Sequence, residues 1–268
     1  MATLDAITLL ELTFFLLFSW VGIYQLTKNF RGRFSWFVLT FLGATSLLFV
    51  FDILVSQIDR IELYQILHRL WASVITIAIA FGFHLSVLVQ PPERLKILRP
   101  YLVGAYLGSA LIVAFILTTN LIVDYSEPLR LPFHGNLIYQ AGSWYWAGAA
   151  FNSALTLGVF ANFWYTFRRA PHRSKSWFQS LFALVGLSFY LIAATLIITH
   201  HYRPIDFASY QFNALVTVGT LFAVYSIMRF NLFIEEERVI FGREFWYSSI
   251  VMLIVLLTYL LILALIPG

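Results

Sequence analysis

The chain has 268 residues, of which 60% are hydrophobic and only 11% charged, and its net charge is +4. An ordinary soluble domain carries about 25% charged residues, so that class is excluded. The small positive excess lies in short gaps between apolar runs and forms no basic stripe with interleaved aromatics, which argues against nucleic acid as a partner. There is no cysteine, which removes disulfides, thiolate zinc sites, iron–sulfur clusters and cysteine nucleophiles together.

Eight stretches of about 20 apolar residues follow one another: Ile7–Thr27, Trp36–Ser56, Leu70–Val89, Tyr101–Val123, Trp144–Phe167, Trp177–Thr199, Gln211–Met228 and Phe245–Ile266. At about 1.5 Å rise per residue each can cross a hydrocarbon layer about 30 Å thick. The spacing predicts an all-α, polytopic transmembrane bundle: a seven-helix core over 1–228, a cytoplasmic interfacial connector over 229–244, and an eighth helix over 245–268. The first stretch lacks a basic flank and is too long for a signal-peptide core, so it reads as a retained anchor.

Orientation comes from the gaps. Of the 17 lysines and arginines, 13 fall in the odd gaps: Lys28 to Arg33, Arg94 to Arg99, Arg168 to Lys175, and Arg229 to Arg243. By the positive-inside rule those gaps are cytoplasmic, and the N-terminus lies outside a plasma membrane. Pro91, Pro92, Pro100 and Pro171 are expected to end or delay helices in the cytoplasmic gaps. The longest outer gap, 124–143, alternates apolar residues around His134-Gly-Asn, a hairpin signal that competes with plain loop. Tryptophans and tyrosines cluster at the span ends as an interfacial belt, with Trp144 and Trp146 reserved as pocket walls.

A carboxylate or amide in hydrocarbon is expensive, so polar residues should face inward. Glu11, Phe15, Phe18, Gly22 and Gln25 share one face of the first span; Thr45, Asp52 and Ser56 one of the second; Ser73, Thr76, Ala80 and His84 one of the third. The fifth offers Gly148, Asn152 and Thr156, and the seventh Asn213, Thr217 and Thr220. Glu11, Asp52, Asn120, Asn152 and Asn213 fall at one depth in the outer third. Two readings stay open there: a ligand pocket formed by Glu11, Asp52, Asn152, Asn213 and Trp144, or hydrogen-bonded helix-to-helix glue.

Other chemistries find little support. Lys28, Lys96 and Lys175 all lie in gaps, so no span carries a Schiff-base lysine. His84 and His200-His201 fall at opposite depths, and no metal site, catalytic group or cofactor is expected. Gly104 and Gly108 have the spacing of a close helix contact rather than of a phosphate loop.

At the end of the seventh span stands Tyr225-Ser-Ile227-Met-Arg229-Phe-Asn-Leu232-Phe233. This resembles the exit of the seven-transmembrane sensor region at the N-terminus of bacterial histidine kinases and related GAF-type signalling proteins. Phe81-Gly-Phe-His84-Leu and Arg173-Ser-Lys-Ser-Trp-Phe-Gln179 are similar to further segments of that region. The resemblance implies a non-enzymatic sensory module for an extracellular or membrane-borne stimulus, with Tyr225, Ile227, Arg229, Leu232 and Phe233 carrying the signal out. Its expected partners are membrane lipids and a cytoplasmic kinase or other effector, in cis or in trans, and a homodimer is compatible with it. No effector sequence follows Gly268, so the chain reads as a truncated sensor or as one that works through a partner protein. The alternative is an integral membrane enzyme or small transporter acting on a lipid-soluble substrate.

Overall fold

The computed structural model describes residues 6–28, 33–56, 60–130, 137–172, 174–202, 212, 214–222, 226, 247, 250 and 254. Six helices and one hairpin are bounded within them: α1 (Ala6–Lys28), α2 (Arg33–Ser56), α3 (Ile61–Leu88), α4 (Pro92–Thr118), β1 (Val123–Arg130), β2 (Leu137–Ala141), α5 (Tyr145–Arg169) and α6 (Lys175–Tyr202). Residues 214–222 are also helical, as are the isolated positions 212, 226, 247, 250 and 254. Most of the predicted eighth span, and the whole 229–244 connector, lie outside the described residues.

Four helices are long and apolar enough to cross a membrane: Ser35–Leu54, Ile61–Leu88, Pro92–Thr118 and Trp177–Thr199. In α1 the apolar stretch Glu11–Thr27 is shorter. At 25 residues α5 has the length, but its glycines, asparagines, tryptophans and tyrosines dilute its apolarity. The surface agrees with a lipid environment, since Ile97, Tyr101, Val103, Leu107 and Leu111 of α4 are all more than half exposed. Several hydroxyls on these helices bond their own backbone. Thr40, Thr118, Thr195 and Thr199 each donate to the carbonyl four residues earlier, so an exposed threonine presents no open donor.

The fold divides into two compact units, residues 1–81 with 237–268, and residues 82–236. In the first, α1 and α2 pack antiparallel. Phe14, Phe18 and Phe49 cluster with ring centres 5.9–6.2 Å apart. Further along the seam the Ser19 hydroxyl donates to Ser46 Oγ at 3.2 Å. A β-carbon on Gly22 would lie 3.1 Å from Leu39, so the glycine lets the two helices approach. The predicted inward face of α1 is the buried one: Glu11, Phe15, Phe18, Gly22 and Gln25 are all buried.

In the second unit α4 differs from expectation. The segment Gln90–Pro100, predicted as a gap, is helical from Pro92, and Pro100 sits inside the helix. Pro92 takes the first helical position, where its missing amide would have no intrahelical partner, and Pro91 precedes it in extended conformation. The helix continues through Pro100 without the bond that residue would donate to Lys96. At its other end α4 stops at Thr118, not Val123, because Val123 opens β1.

The 124–143 gap, expected on the outer side, contains an antiparallel pair of strands, a β element added to the expected all-α architecture. Its register shifts between Asp124 and Leu129, a stretch containing Pro128, which has no ladder donor. Inside that irregularity the Asp124 carboxylate accepts from the Ser126 amide at 3.0 Å and hydroxyl at 2.7 Å. Tyr125 and Tyr139 are buried with ring centres 4.5 Å apart. Gly142 closes the base, where a β-carbon would lie 2.4 Å from the Leu121 carbonyl oxygen. β2 also packs beside α6.

Ala170, extended before Pro171, ends α5. Ser174 then caps α6, its hydroxyl accepting from the Trp177 amide at 3.2 Å. Against α6 runs the helix at 214–222: Tyr190 and Thr220 share a hydroxyl hydrogen bond, and Phe222 stacks with Phe182 and Phe189. A β-carbon on Gly219 would lie 2.9 Å from the Gly186 carbonyl oxygen. Beyond it the Ser226 hydroxyl donates to the Gln179 carbonyl at 3.0 Å.

Candidate functional site

The pocket residues expected from sequence divide between the two units. Glu11, on α1, is 6% exposed, and Asp52, on α2, is half-buried. The ring contacts of Phe14 and Phe18 with Phe49, and the Ser19–Ser46 bond, fix the antiparallel register of this pair. That register brings Glu11 level with Asp52 and the fully buried Ile53. Two carboxylates therefore lie at one level of an apolar helix pair.

In the second unit Asn152 is half-buried on α5, two turns beyond Trp144. Trp144, 54% exposed, sits before the first turn of α5 with its ring edge-on to Phe115 at 6.1 Å. Asn213 and the exit residues Tyr225, Ile227, Arg229, Leu232 and Phe233 lie outside the described residues. Asn120, just past α4, is exposed. His84 spends Nδ1 on the Tyr106 hydroxyl at 2.7 Å, joining α3 to α4. Of the two expected glycines, Gly108 makes a close contact, its notional β-carbon 2.4 Å from the Phe151 ring, whereas Gly104 faces open space.

A second polar centre, outside the expected ligand pocket but containing Asn162, a residue a lipid-facing cleft would meet on the enzyme or transporter alternative, occupies the basic end of α3, α4 and α5. Asn162, 2% exposed, donates from Nδ2 to the Ser86 hydroxyl at 2.9 Å. The Gln90 amide, in a side chain 6% exposed, donates to the Ser86 carbonyl at 3.1 Å, the Asn162 carbonyl at 3.2 Å and the Thr166 hydroxyl at 3.1 Å. Arg94, in the first turns of α4, donates from Nη2 to Asn162 Oδ1 at 3.3 Å. Its guanidinium lies over the Tyr165 ring, 3.7 Å from the centre, and Arg169 approaches the same ring at 4.4 Å.

These bonds leave two buried atoms unmet. Gln90 Oε1 and Arg94 Nη1 have no hydrogen-bond partner among the described residues. A buried polar group left unsatisfied costs about 1–3 kcal/mol, and more when charged. The donor and acceptor roles are opposite, so the arrangement suits a species offering both.

One signal in the sequence marks this centre. Ser86 and Gln90, and likewise Asn162 and Thr166, recur at four-residue spacing at the ends of α3 and α5. Gln90 and Arg94 lie in the 90–100 stretch that reads as a connecting gap, and the polar residues that share one depth lie at the opposite ends of the spans.

No protein-family model matches the chain, and no curated protein is significantly similar to it.

Proposed function

We propose that the chain is a multi-pass sensory module of the plasma membrane, with its N-terminus outside. In this reading a seven-helix core with an eighth C-terminal span detects an extracellular or membrane-borne stimulus. It relays the change to a cytoplasmic effector, in a C-terminal continuation or in a partner protein, and performs no catalysis itself.

The observation that carries this reading is Glu11, buried in an apolar helix and level with Asp52. A carboxylate in hydrocarbon costs about 2.5–3.5 kcal/mol on insertion scales, so acids within spans mark functional positions by default. A stimulus can shift helix packing only through differential affinity for two arrangements. An acid pair at a helix seam supplies such a difference, because its neutralisation or ligation alters what the seam must solvate. The bond from Ser226 to the Gln179 carbonyl gives further support: it joins the start of α6 to the segment from which the exit motif departs.

The test uses the full chain in lipid nanodiscs and a screen of small polar and lipophilic compounds by thermal shift. Glu11→Gln and Asp52→Asn should abolish or change the shift produced by the compounds that stabilise the wild type, while membrane insertion is kept. A double variant with the wild-type ligand profile would remove the acid pair from the mechanism.

A further inference from the structure

The basic-end centre holds two guanidinium groups against one tyrosine ring, their carbons 3.7 and 4.4 Å from its centre. Like charges brought together repel. Among the described residues neither arginine has an acidic partner. Arg94 is held in place by Asn162 and by the ring, with Nη1 buried and unmet. Gln90, more than nine-tenths buried and bonded to Asn162 through its amide, keeps Oε1 unmet in the same cluster. A cation with an open donor and a neutral open acceptor, both side chains bonded to Asn162, suit an anion that also carries a donor. A bare carboxylate supplies only half of that.

We propose that this centre binds a phosphate ester carrying a free hydroxyl, of the kind found in a glycerol phosphate group. The phosphate oxygens accept from Arg94 Nη1 and from Arg169, and the ester's hydroxyl donates to Gln90 Oε1. Arginine suits this role because its planar fork matches phosphate oxygens in pairs. Placement at the first turns of α4 adds the favourable end of the helix dipole, opposed by exposed Glu93 nearby. Arg169 is exposed, so it is the wall that can swing aside to admit the group. The inference stands on this cluster alone and does not depend on the sensory reading.

The same chemistry reaches the site from two sources, a phosphatidylglycerol headgroup or soluble glycerol phosphate. The full chain is reconstituted in phosphatidylcholine nanodiscs, and binding is read by thermal shift and by native mass spectrometry. One arm adds phosphatidylglycerol to the bilayer, the other adds glycerol phosphate to the buffer. Stabilisation in the first arm only assigns a lipid site, and in the second a soluble-ligand site. In the responsive arm Arg94→Gln should weaken binding about tenfold or more, the equivalent of losing a charge-assisted hydrogen bond. Arg169→Gln, at an exposed position that tolerates replacement, should weaken it several-fold. Arg168 is the matched control: it is exposed, adjacent, and over Trp164 at 5.9 Å rather than over Tyr165. The proposal is overturned if neither arm stabilises the wild type, or if Arg168→Gln weakens binding as much as Arg169→Gln.

Discussion

Gly104 and Gly108 differ by one helical turn in position and by everything in surroundings. Alanine at 108 would drive a β-carbon to 2.4 Å from the Phe151 ring, whereas alanine at 104 meets nothing within 4 Å. Gly108→Ala is therefore expected to destabilise by about 1–3 kcal/mol, as overpacking does. Gly104→Ala should be neutral or stabilising by up to about 1 kcal/mol, the helix-propensity gain. Thermal midpoints of the two variants in nanodiscs check both, and equal effects would contradict the close approach of α4 and α5. The motif was legible in the sequence, but which glycine makes the contact was not, because spacing fixes a face and not what lies opposite it. The same limit applies to the acids. Helical spacing placed Glu11 on the inward face of α1, yet only the register with α2 brings it level with Asp52. Outside the spans, the Ser126 hydroxyl and then its amide hold the Asp124 carboxyl below its ordinary range, slightly offset by burial. The bonded form is the ionised one, so its contribution to the hairpin is complete above the unfolded carboxylate pKa. It is lost as pH falls through the lowered folded value. The protection of the Ser126 amide, its hydrogen-exchange rate taken against the intrinsic rate at each pH, should fall on acidification in the wild type, and Asp124→Asn should flatten that dependence; an unchanged protection profile would contradict the assignment.

Elements were legible where apolarity decided them and misread where local chemistry did. α1, α2, α5 and α6 lie within three residues of their predicted limits, since long apolar runs in lipid have no alternative to internal hydrogen bonding. α3 and α4 each start nine residues earlier than predicted. In α4 the proline-rich start carries the sequence signal of a break, although Pro92 fits the first turn and the helix tolerates Pro100. If Pro100 only interrupts the ladder, Pro100→Ala should restore a bond to the Lys96 carbonyl and stabilise by about 1–3 kcal/mol. A lower thermal midpoint would show that the break is used. The hairpin was half legible: alternation and a Gly/Asn turn pointed to it, but the shift around Asp124–Leu129 follows from pairing partners that no local pattern specifies. At the other end of the second unit, Ser226→Ala removes the single described bond between residue 226 and α6. It should cost about 0.6–2 kcal/mol, the worth of an interhelical hydrogen bond in lipid. On the sensory reading it should also alter the response to stimulus more than stability alone explains, which the same thermal-shift screen would reveal.

At the scale of the whole molecule, two facts about the sequence organise the rest: apolar runs long enough to cross a bilayer, and basic residues concentrated, 13 of 17, in alternate gaps. Four helices meet the first condition fully, and the exposed apolar side chains of α4 have their natural solvent in lipid. The polar centre around Asn162 was not legible at this scale, because it forms only when the ends of α3 and α5 and the start of α4 come together. The basic residues from which the orientation is inferred include Arg94 and Arg169, so on that reading one set of charges would serve both topology and the proposed phosphate site.

Orientation is the claim on which the sensory reading turns, and the absence of cysteine makes it directly measurable. Single cysteines at His172, between α5 and α6, and at Ser126, in β1, would be probed with a membrane-impermeant maleimide in intact cells and again after permeabilisation. The account predicts labelling of Ser126→Cys in intact cells and of His172→Cys only once the membrane is opened. Labelling of His172→Cys from outside, with Ser126→Cys protected, would invert the chain and contradict an outward-facing acid pair.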